Sequence, residues 1–241
     1  MIGFGEQVSA RIAEMESSEE TSRRLEQEQR RLEADYRELA GQLSGERRRA
    51  AQRLEKPVEK ELATLALERT RFQVVLEPTE PAAHGADRVQ FLVCPNPGEP
   101  LRPLELVASG GELSRLTLAL KTCLAGSPGP AGRPRGVPRT LVFDEIDAGI
   151  GGRAAEAVGR RLQRLARHFQ LLCVTHLPQI AGFADHHYSV DKHVKGGRTL
   201  TTVRELGPEE RIEEMARMLS GAQVTPDALR HARQLLDTAK A

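Results

Sequence analysis

Apolar side chains recur at helical spacing along the first part of the chain. They fall at Ile12, Met15, Leu25, Leu32, Tyr36, Leu39, Leu43, Ala50 and Leu54, and several of the steps between them are three, four or seven residues. Such spacing lays one narrow apolar seam along a helix. Gly41 and Gly45 weaken that helix locally, and Pro57 is expected to end or kink it. The pattern predicts a helix over residues 6–56 whose seam needs a partner helix.

Charge density supports an extended arm in the same region. Residues 1–70 hold 13 basic and 15 acidic side chains, whereas the much longer remainder holds 22 and 19. A straight helix over residues 6–56 would be roughly 75 Å long, which is too long for a compact domain of this size. We therefore expect residues 1–70 to form a helical coiled-coil arm. A bundle of two or three helices folded back on itself is the alternative.

Beyond the arm, the hydrophobic period changes from helical to alternating. A short second helix is expected over residues 58–69. Apolar residues then alternate at Phe72, Val74 and Leu76, and again at Val89, Phe91 and Val93, with turn residues between the two runs. Alternation on both sides of a turn predicts an antiparallel hairpin.

From Ser109 onward, helical and strand-like segments alternate. Helices are predicted over residues 113–124 and 153–168, buried strands over residues 141–143 and 171–175, and a Gly/Pro/Arg loop over residues 126–139. The strand–helix–strand order implies a parallel pair with a crossover helix. Two more helices follow, one around residues 209–219 and one that begins at Pro226 with Thr225 as its cap. We expect an α/β fold for residues 71–241.

Composition excludes several classes of protein. A formal net charge of +1 argues against a polybasic nucleic-acid wrapper, and 3% aromatic residues argue against a base-stacking platform. No apolar run is long enough to span a membrane, and no secretory signal is recognisable. Cys94, Cys123 and Cys173 form no CxxC pair, which fits a reducing compartment without a zinc site. The sequence predicts a cytoplasmic protein with no membrane partner.

Two adjacent carboxylates end the first predicted buried strand. Leu141-Val-Phe is followed directly by Asp144 and Glu145, and the carboxyl ends of such strands are where α/β proteins bind ligands. One carboxylate there can hold Mg²⁺, usually through water, and the next can orient or deprotonate a water molecule. The alternative is an ordinary acidic turn at the end of a strand.

A glycine pair opens the helix that precedes this strand. Ser109 and Glu112 have the spacing of a capping box, and Gly110 and Gly111 lie inside it. Exposed backbone N–H groups at a helix N-terminus suit a phosphate oxygen. The alternative is a well-capped helix after a tight turn, although two glycines add little to such a cap.

A histidine ends the second predicted strand. Thr175 and His176 follow Cys173-Val, so the imidazole is expected at the same sheet edge as Asp144 and Glu145. It could donate a hydrogen bond to a phosphate or to a water molecule there. A purely structural histidine is the alternative.

The order and spacing of these motifs resemble the carboxyl half of an ABC-type ATPase head. The residues within these motifs resemble one family in particular, the RecN family of SMC-like ATPases. This resemblance extends from about Arg71 to the C-terminus. The segments that carry this resemblance are Asn96-Pro-Gly-Glu, Ala108-Ser-Gly-Gly-Glu-Leu-Ser-Arg, Phe143-Asp-Glu-Ile-Asp-Ala-Gly-Ile-Gly-Gly, Val174-Thr-His-Leu-Pro-Gln-Ile-Ala and Glu214-Met-Ala-Arg-Met-Leu-Ser-Gly. The resemblance implies the C-terminal lobe of an ABC-type ATPase head with a projecting helical arm.

The resemblance also implies a role for each motif. Asp144 would help to hold Mg²⁺, Glu145 would activate the hydrolytic water, and His176 would contact the γ-phosphate of ATP. The signature segment, Ser109, Gly110, Gly111 and Glu112, would reach across a dimer of two heads to the nucleotide of the opposite head. Asp147 would couple the two heads at that interface.

The implied cofactors are ATP and Mg²⁺, and the implied partners are an N-terminal lobe, a second head and DNA. No G-x-x-x-x-G-K-[ST] phosphate loop occurs in the sequence, so catalysis is expected only with an N-terminal lobe that supplies one. The family serves DNA double-strand-break repair, which implies a nucleoid-associated location. The alternative function is a non-catalytic module that binds DNA or a protein partner.

Two further clusters of charged or titratable residues are interpreted as non-functional. Arg160, Arg164 and Arg167 share a helix face and could meet DNA phosphates, but such arrays are usually solubilising. His186, His187 and His193 lack a persuasive metal-ligand spacing. We expect them to be structural.

Overall fold

A computed structural model describes residues 2–106, 109–125, 140–195, 198–221 and 223–240. The loop predicted over residues 126–139 lies outside these ranges. The chain divides into two compact units: residues 1–52 with 75–89, and residues 53–74 with 90–241. Within the described ranges, no helix is both long and apolar enough to cross a lipid bilayer.

The first unit combines most of the long helix α1 (Ile2–Thr64) with the tip of a hairpin. The hairpin strands are β1 (Arg71–Ala82) and β2 (Gly85–Cys94). The hydroxyl of Tyr36 donates to the carbonyl of Ala82 at 3.1 Å and accepts from its N–H at 2.9 Å. Ser44 donates to the buried carboxylate of Asp87 at 2.5 Å. Long-range hydrogen bonds therefore fix the hairpin tip on the helix.

Much of the predicted seam is exposed within this unit. The larger exposed apolar side chains on the helix are Met15, Leu25, Leu32, Leu39 and Leu43. The need of this seam for a partner helix stays a prediction.

Helix α1 continues through Pro57, so the expectations of a helix end near residue 56 and of a separate second helix were wrong. Packing compensates for the lost backbone hydrogen bond, because the following side chains of Val58 and Leu62 are fully buried. The helix ends at Thr64 instead of residue 69. The N–H of Leu67 bonds to the carbonyl of Leu62 at 3.1 Å, and Ala66 takes a φ of 60°, which is a Schellman-type ending.

Two glutamates of α1 bond to the backbone of β1 in the second unit. Glu59 accepts from the N–H of Phe72 at 3.1 Å, and Glu55 accepts from the N–H of Val74 at 2.9 Å. One helical turn of about 5.4 Å nearly matches the two-residue repeat of a strand, about 6.6 Å. Carboxylates four residues apart can therefore pair with alternate N–H groups of a strand.

The predicted parallel pair is confirmed. Strands β4 (Thr140–Phe143) and β5 (Gln170–Cys173) pair in parallel, with Thr140 opposite Gln170 and Phe143 opposite Cys173. Helix α3 (Gly152–Ala166) makes the crossover. Helix α2 (Gly110–Leu124) precedes β4, and its Leu116, Leu118 and Ala119 lie in the core. The α/β fold class is thus confirmed.

The two parallel strands are not fully buried, contrary to the sequence expectation. Val142 is 66% exposed and Leu172 is 51% exposed, and Val174, directly after the end of β5, is 62% exposed. Leu141 and Phe143 alternate with Val142 and pack on the core. The described sheet has two strands, so its other face carries apolar side chains without a cover.

The remaining elements complete the second unit. They are β3 (Arg102–Pro103), which pairs antiparallel with β2, a 3₁₀ turn (Leu104–Leu106), α4 (Pro178–Ala181), the antiparallel strands β6 (Tyr188–Lys195) and β7 (Arg198–Glu205), α5 (Pro208–Ser220) and α6 (Pro226–Lys240). Thr225 accepts from the N–H of Ala228 at 3.1 Å, as its predicted capping role requires. Met215, Ala216 and Ala232 form a second small core between the last helices.

Candidate functional site

The acidic pair lies at the carboxyl end of β4, directly after the buried Phe143. Both Asp144 and Glu145 are exposed. Asp144 Oδ1 accepts the backbone N–H of Glu145 at 2.9 Å. Glu145 has a φ of 55°, a left-handed conformation that is uncommon for a residue with a side chain. Such a backbone costs on the order of 1–3 kcal/mol and persists only where its surroundings enforce it.

The start of α2 packs against residues 144–150 of the same chain, the acidic loop. Ser109 is the N-cap, and its hydroxyl accepts from the N–H of Glu112 at 3.4 Å. A Cβ on Gly110 would lie 2.5 Å from Oε2 of Glu145. A Cβ on Gly111 would lie 2.7 Å from the Cβ of Ala148 and 2.9 Å from the carbonyl oxygen of Glu145. The absence of side chains at both glycines therefore allows the close approach, and the predicted signature and acidic motifs meet.

Two side chains of α2 for which the sequence predicted no role bond to backbone carbonyls of the acidic loop. The hydroxyl of Ser114 donates to the carbonyl of Asp144 at 2.7 Å. The guanidinium of Arg115, 5% exposed, donates to the carbonyls of Ile146 at 3.3 Å and Ala148 at 2.8 Å. Desolvation lowers the pKa of Arg115, against the opposing effect of Glu112. Both residues close the Ala108-Ser-Gly-Gly-Glu-Leu-Ser-Arg segment that carries the family resemblance, but no role was predicted for either.

Asp147 joins the acidic loop to the end of β5. Its carboxylate is buried, and Oδ2 accepts from the hydroxyl of Thr175 at 2.6 Å and from the N–H of His176 at 2.9 Å. Nδ1 of His176 lies 3.0 Å from the same oxygen. The role expected for Asp147 at a dimer interface stays a prediction, and within the chain Oδ2 of its carboxylate already has three near neighbours.

The ends of β4 and β5 lie side by side, as the sequence predicted. The N–H of Val174 bonds to the carbonyl of Phe143 at 2.9 Å. Asp144, Asp147 and His176 therefore belong to one edge of the sheet. Desolvation raises the pKa of Cys173 to about 12, with further contributions from Asp147 and Asp144. That thiol stays protonated and adds no charge to the edge.

Asp144 suits a magnesium ion only as one ligand among several. Its carboxylate is exposed and offers oxygen, the donor that Mg²⁺ prefers, and Mg²⁺ commonly keeps several waters and substrate phosphates. In the described part of the chain, no three His, Cys, Asp or Glu side chains gather around a possible metal position. The chain's own donor set thus fits an ion held largely by water and nucleotide.

The other two predicted clusters are less suited to binding. Arg160 pairs with Glu156 at 2.7 Å and lies over the ring of Phe183 at 5.5 Å, so its charge is partly compensated. His186 pairs with Glu205 at 2.7 Å. Burial, aided by Arg211 and opposed by Glu214, lowers the pKa of His187. A DNA-binding role of the arginine face stays a hypothesis.

Curated relatives match nearly the whole chain. It is 43% identical over 237 residues to the DNA repair protein RecN of Deinococcus radiodurans, and the aligned region covers 98% of this chain and 40% of that protein. It is 42% identical over 224 residues to RecN of Streptomyces coelicolor, covering 87% and 38%, and 39% identical over 258 residues to RecN of Mycobacterium tuberculosis, covering 100% and 43%. The chain spans about two-fifths of the length of these relatives.

Solved structures give only distant similarity. The chain is 20% identical, with a TM-score of 0.47, to an Smc head domain with a coiled coil and joint from Pyrococcus yayanosii, covering 80% of this chain and 30% of that one. It is 23% identical, with a TM-score of 0.31, to the SMC head domain of Thermotoga maritima, covering 69% and 52%. No protein-family model matches the chain. On the strength of the curated relatives, the chain belongs to the RecN family of DNA repair proteins.

Proposed function

We propose that this chain forms the C-terminal part of an ATP-hydrolysing head in an SMC-like ATPase of DNA double-strand-break repair. The observation that carries the proposal is the apolar sheet face beside the acidic edge. Val142, Leu172 and Val174 are more than half exposed, although parallel strands are almost always covered on both faces. A head completed by a further lobe would cover them.

The proposed cover is an N-terminal lobe that carries the phosphate loop. The curated relatives are about two and a half times as long as the matched region, which leaves room for such a lobe. The phosphate loop cradles the β- and γ-phosphates in this type of ATPase. Docking on the face formed by Val142, Leu172 and Val174 would bring those phosphates toward Asp144 and Glu145.

Each residue at the acidic edge has a distinct proposed role. Asp144 would hold Mg²⁺ largely through water, and the ion would neutralise charge on the phosphate oxygens. Glu145 would accept a proton from the attacking water. His176, with its Nδ1 3.0 Å from Oδ2 of Asp147, would present Nε2 as an acceptor to that water. In this proposal Glu145 would remove the proton, and His176 would position the water.

A second head is the proposed partner of the signature segment. The first N–H groups of a helix have no partner within it, so the backbone of Gly110 and Gly111 can donate to a phosphate. Ser109 and Glu112 fix the conformation of this helix start. In the proposed dimer, ATP would join two heads and hydrolysis would separate them. DNA is the proposed substrate on which this cycle acts.

Reconstitution tests the proposal. ATP turnover is measured for this chain alone, and for the chain mixed with a polypeptide that carries a phosphate-loop lobe. We expect Mg²⁺-dependent turnover only in the mixture, with Glu145→Gln slowing it and prolonging the ATP-bound dimer. Val142→Glu should prevent reconstitution, whereas Val142→Ile, which keeps the face apolar, should not.

Three results would contradict the proposal. Full activity of the chain alone would mean that a nucleotide site exists without the second lobe. Normal reconstitution by Val142→Glu would remove the proposed docking face. No turnover in either sample, together with tight DNA binding, would favour the non-catalytic binding module.

A further inference from the structure

Arg115 is an unusual residue to find in the interior beside an acidic loop. Arginine is almost never fully buried unless it is paired, yet Arg115 is 5% exposed and its described acceptors are the carbonyls of Ile146 and Ala148. Its Nε is buried without a hydrogen-bond partner in the described part of the chain. A guanidinium placed this way loses hydration that two peptide carbonyls only partly replace. A leucine or methionine would fill the space with less desolvation.

The bonds of Arg115 belong to a larger set that spans the whole acidic loop. One face of α2 lies along the loop at successive points: Gly111, without a Cβ, leaves room for the carbonyl of Glu145, Ser114 donates to the carbonyl of Asp144, and Arg115 donates to those of Ile146 and Ala148. The loop closes on itself where the N–H of Ala148 bonds to the carbonyl of Glu145 at 3.0 Å. The backbone on both sides of Glu145 is therefore restrained by the helix.

These restraints explain why Glu145 keeps a left-handed backbone. A residue with a side chain holds a positive φ only where its surroundings over-determine it. The carbonyls on both sides of Glu145 are held by Ser114 and Arg115, and its own N–H is held by Asp144. Without the guanidinium, the carbonyls of Ile146 and Ala148 lose their bonds to α2. The backbone of Glu145 can then relax, although Asp147 keeps its bonds to the end of β5.

We propose that Arg115 is a positioning residue that keeps Glu145 in its catalytic conformation by holding the acidic loop on α2. This inference rests on the proposed function, in which Glu145 is the general base. It adds a coupling: the helix whose first turn would meet the second head is the same helix that holds the base. A shift of α2 on head engagement would therefore move Glu145.

The test compares Arg115→Met and Arg115→Lys in the chain assembled with a phosphate-loop lobe. A displaced base lowers the chemical step without weakening nucleotide binding, so we expect Arg115→Met to lower kcat about 10- to 100-fold with little change in KM for ATP. Arg115→Lys, which keeps a donor, should recover part of the loss. In a Glu145→Gln background, Arg115→Met should cause almost no further loss, because both changes act on one group.

Arg211 supplies a matched control. In the described part of the chain, its guanidinium donates to three backbone carbonyls, those of Ala181, Gly182 and Ala184. As in Arg115, Nε is buried without a hydrogen-bond partner among the described residues, and desolvation lowers the pKa. It is far along the chain from the acidic loop. Arg211→Met should reduce stability while leaving kcat per folded molecule unchanged.

Hydrogen exchange on the chain alone gives a readout that does not depend on ATP. The N–H groups of Ala148 and Ile150 bond within the loop, to Glu145 and Asp147. We expect Arg115→Met to speed their exchange about tenfold or more relative to Arg211→Met, while the α2 amides stay protected.

The outcomes separate the inference from the proposed function. Unchanged loop exchange in Arg115→Met, or a loss of kcat that multiplies with that of Glu145→Gln, would overturn the positioning role. Faster loop exchange in Arg115→Met, together with no ATP hydrolysis by the assembled protein, would support the hold of Arg115 on the acidic loop and contradict the proposed ATPase function. Faster exchange, with a kcat loss that disappears in the Glu145→Gln background, would support both.

Discussion

Oδ2 of Asp147 lies 3.0 Å from Nδ1 of His176 and also accepts the backbone N–H of that residue. The aspartate is buried, whereas the imidazole is largely exposed. An acceptor this close to Nδ1 favours a proton on that nitrogen of a neutral imidazole and leaves Nε2 as the outward acceptor. One carboxylate thus holds the backbone of the histidine and favours one tautomer of its ring.

We predict that Asp147→Asn slows ATP turnover of the assembled head by about 100-fold or more, because an amide does not impose the same tautomer. The measurement is kcat, with ¹⁵N NMR of the His176 ring on the chain as the direct check of the tautomer. Glu205→Gln, which alters the exposed pair with His186, is the control and should leave kcat unchanged. Unaltered ring shifts of His176 in the Asp147→Asn variant would contradict the assigned role.

The two signature glycines should respond differently to alanine. At Gly110 the new methyl group meets only the flexible end of Glu145, and alanine favours the helix. Gly110→Ala should therefore keep the stability of the chain and still impair turnover. At Gly111 the methyl group meets a backbone oxygen and another Cβ, so Gly111→Ala should lower the free energy of unfolding by about 1–3 kcal/mol. Urea unfolding of both variants decides this, and equal stabilities would refute the packing described for α2.

Stability should fall on mild acidification because of His187. Burial, together with Arg211, holds the pKa of this residue below its ordinary value, while Glu214 acts in the opposite direction. The unfolded chain therefore binds the proton first. The contribution is complete above about pH 6.5 and decreases as the pH falls below that value toward the folded-state pKa. The urea midpoint of His187→Gln should change less between pH 7.5 and pH 5.5 than that of the wild type. An equally steep dependence in His187→Gln would contradict this assignment.

Replacement of Glu59, the α1 residue that bonds to the backbone of Phe72 in β1, should destabilise the second unit. Glu59→Ala leaves the N–H of Phe72 without its partner, so we expect a loss of about 1–2 kcal/mol in the free energy of unfolding. Glu59→Gln keeps an acceptor oxygen and should retain most of the stability. Lys60→Ala, at the next and exposed position, should have little effect. If Glu59→Gln were as damaging as Glu59→Ala, charge and not hydrogen bonding would be the important property.

The sequence was most informative where a local signal decides the structure. Ser109, Thr225 and Pro226 mark helix starts because capping depends on a few neighbouring residues. Asp144 and His176 share an edge because parallel strands end together. Pro57 was misjudged because packing of Val58 and Leu62 outweighs the break that proline causes in an isolated helix.

Other features depend on partners far along the chain. The pairing of Asp147 with Thr175 and His176 joins residues almost thirty positions apart. Arg115 lies on a helix where arginine normally signals a solvated face, and nothing local indicates that two carbonyls of a loop await it. The exposure of Val142 could not be expected either, since an apolar strand carries no mark of how many faces are covered.

The carboxylates of Glu55 and Glu59 also protect the sheet from unwanted association. An edge strand with free N–H groups invites pairing with another copy, and proteins blunt such edges with charge or with a covering element. Here a helix supplies both at once, because its acidic side chains occupy the N–H groups of Phe72 and Val74. Sliding or rotation of the helix by one residue would remove both bonds together, so the same pair fixes the register between helix and strand. A variant that loses both carboxylates would expose an edge competent for aggregation.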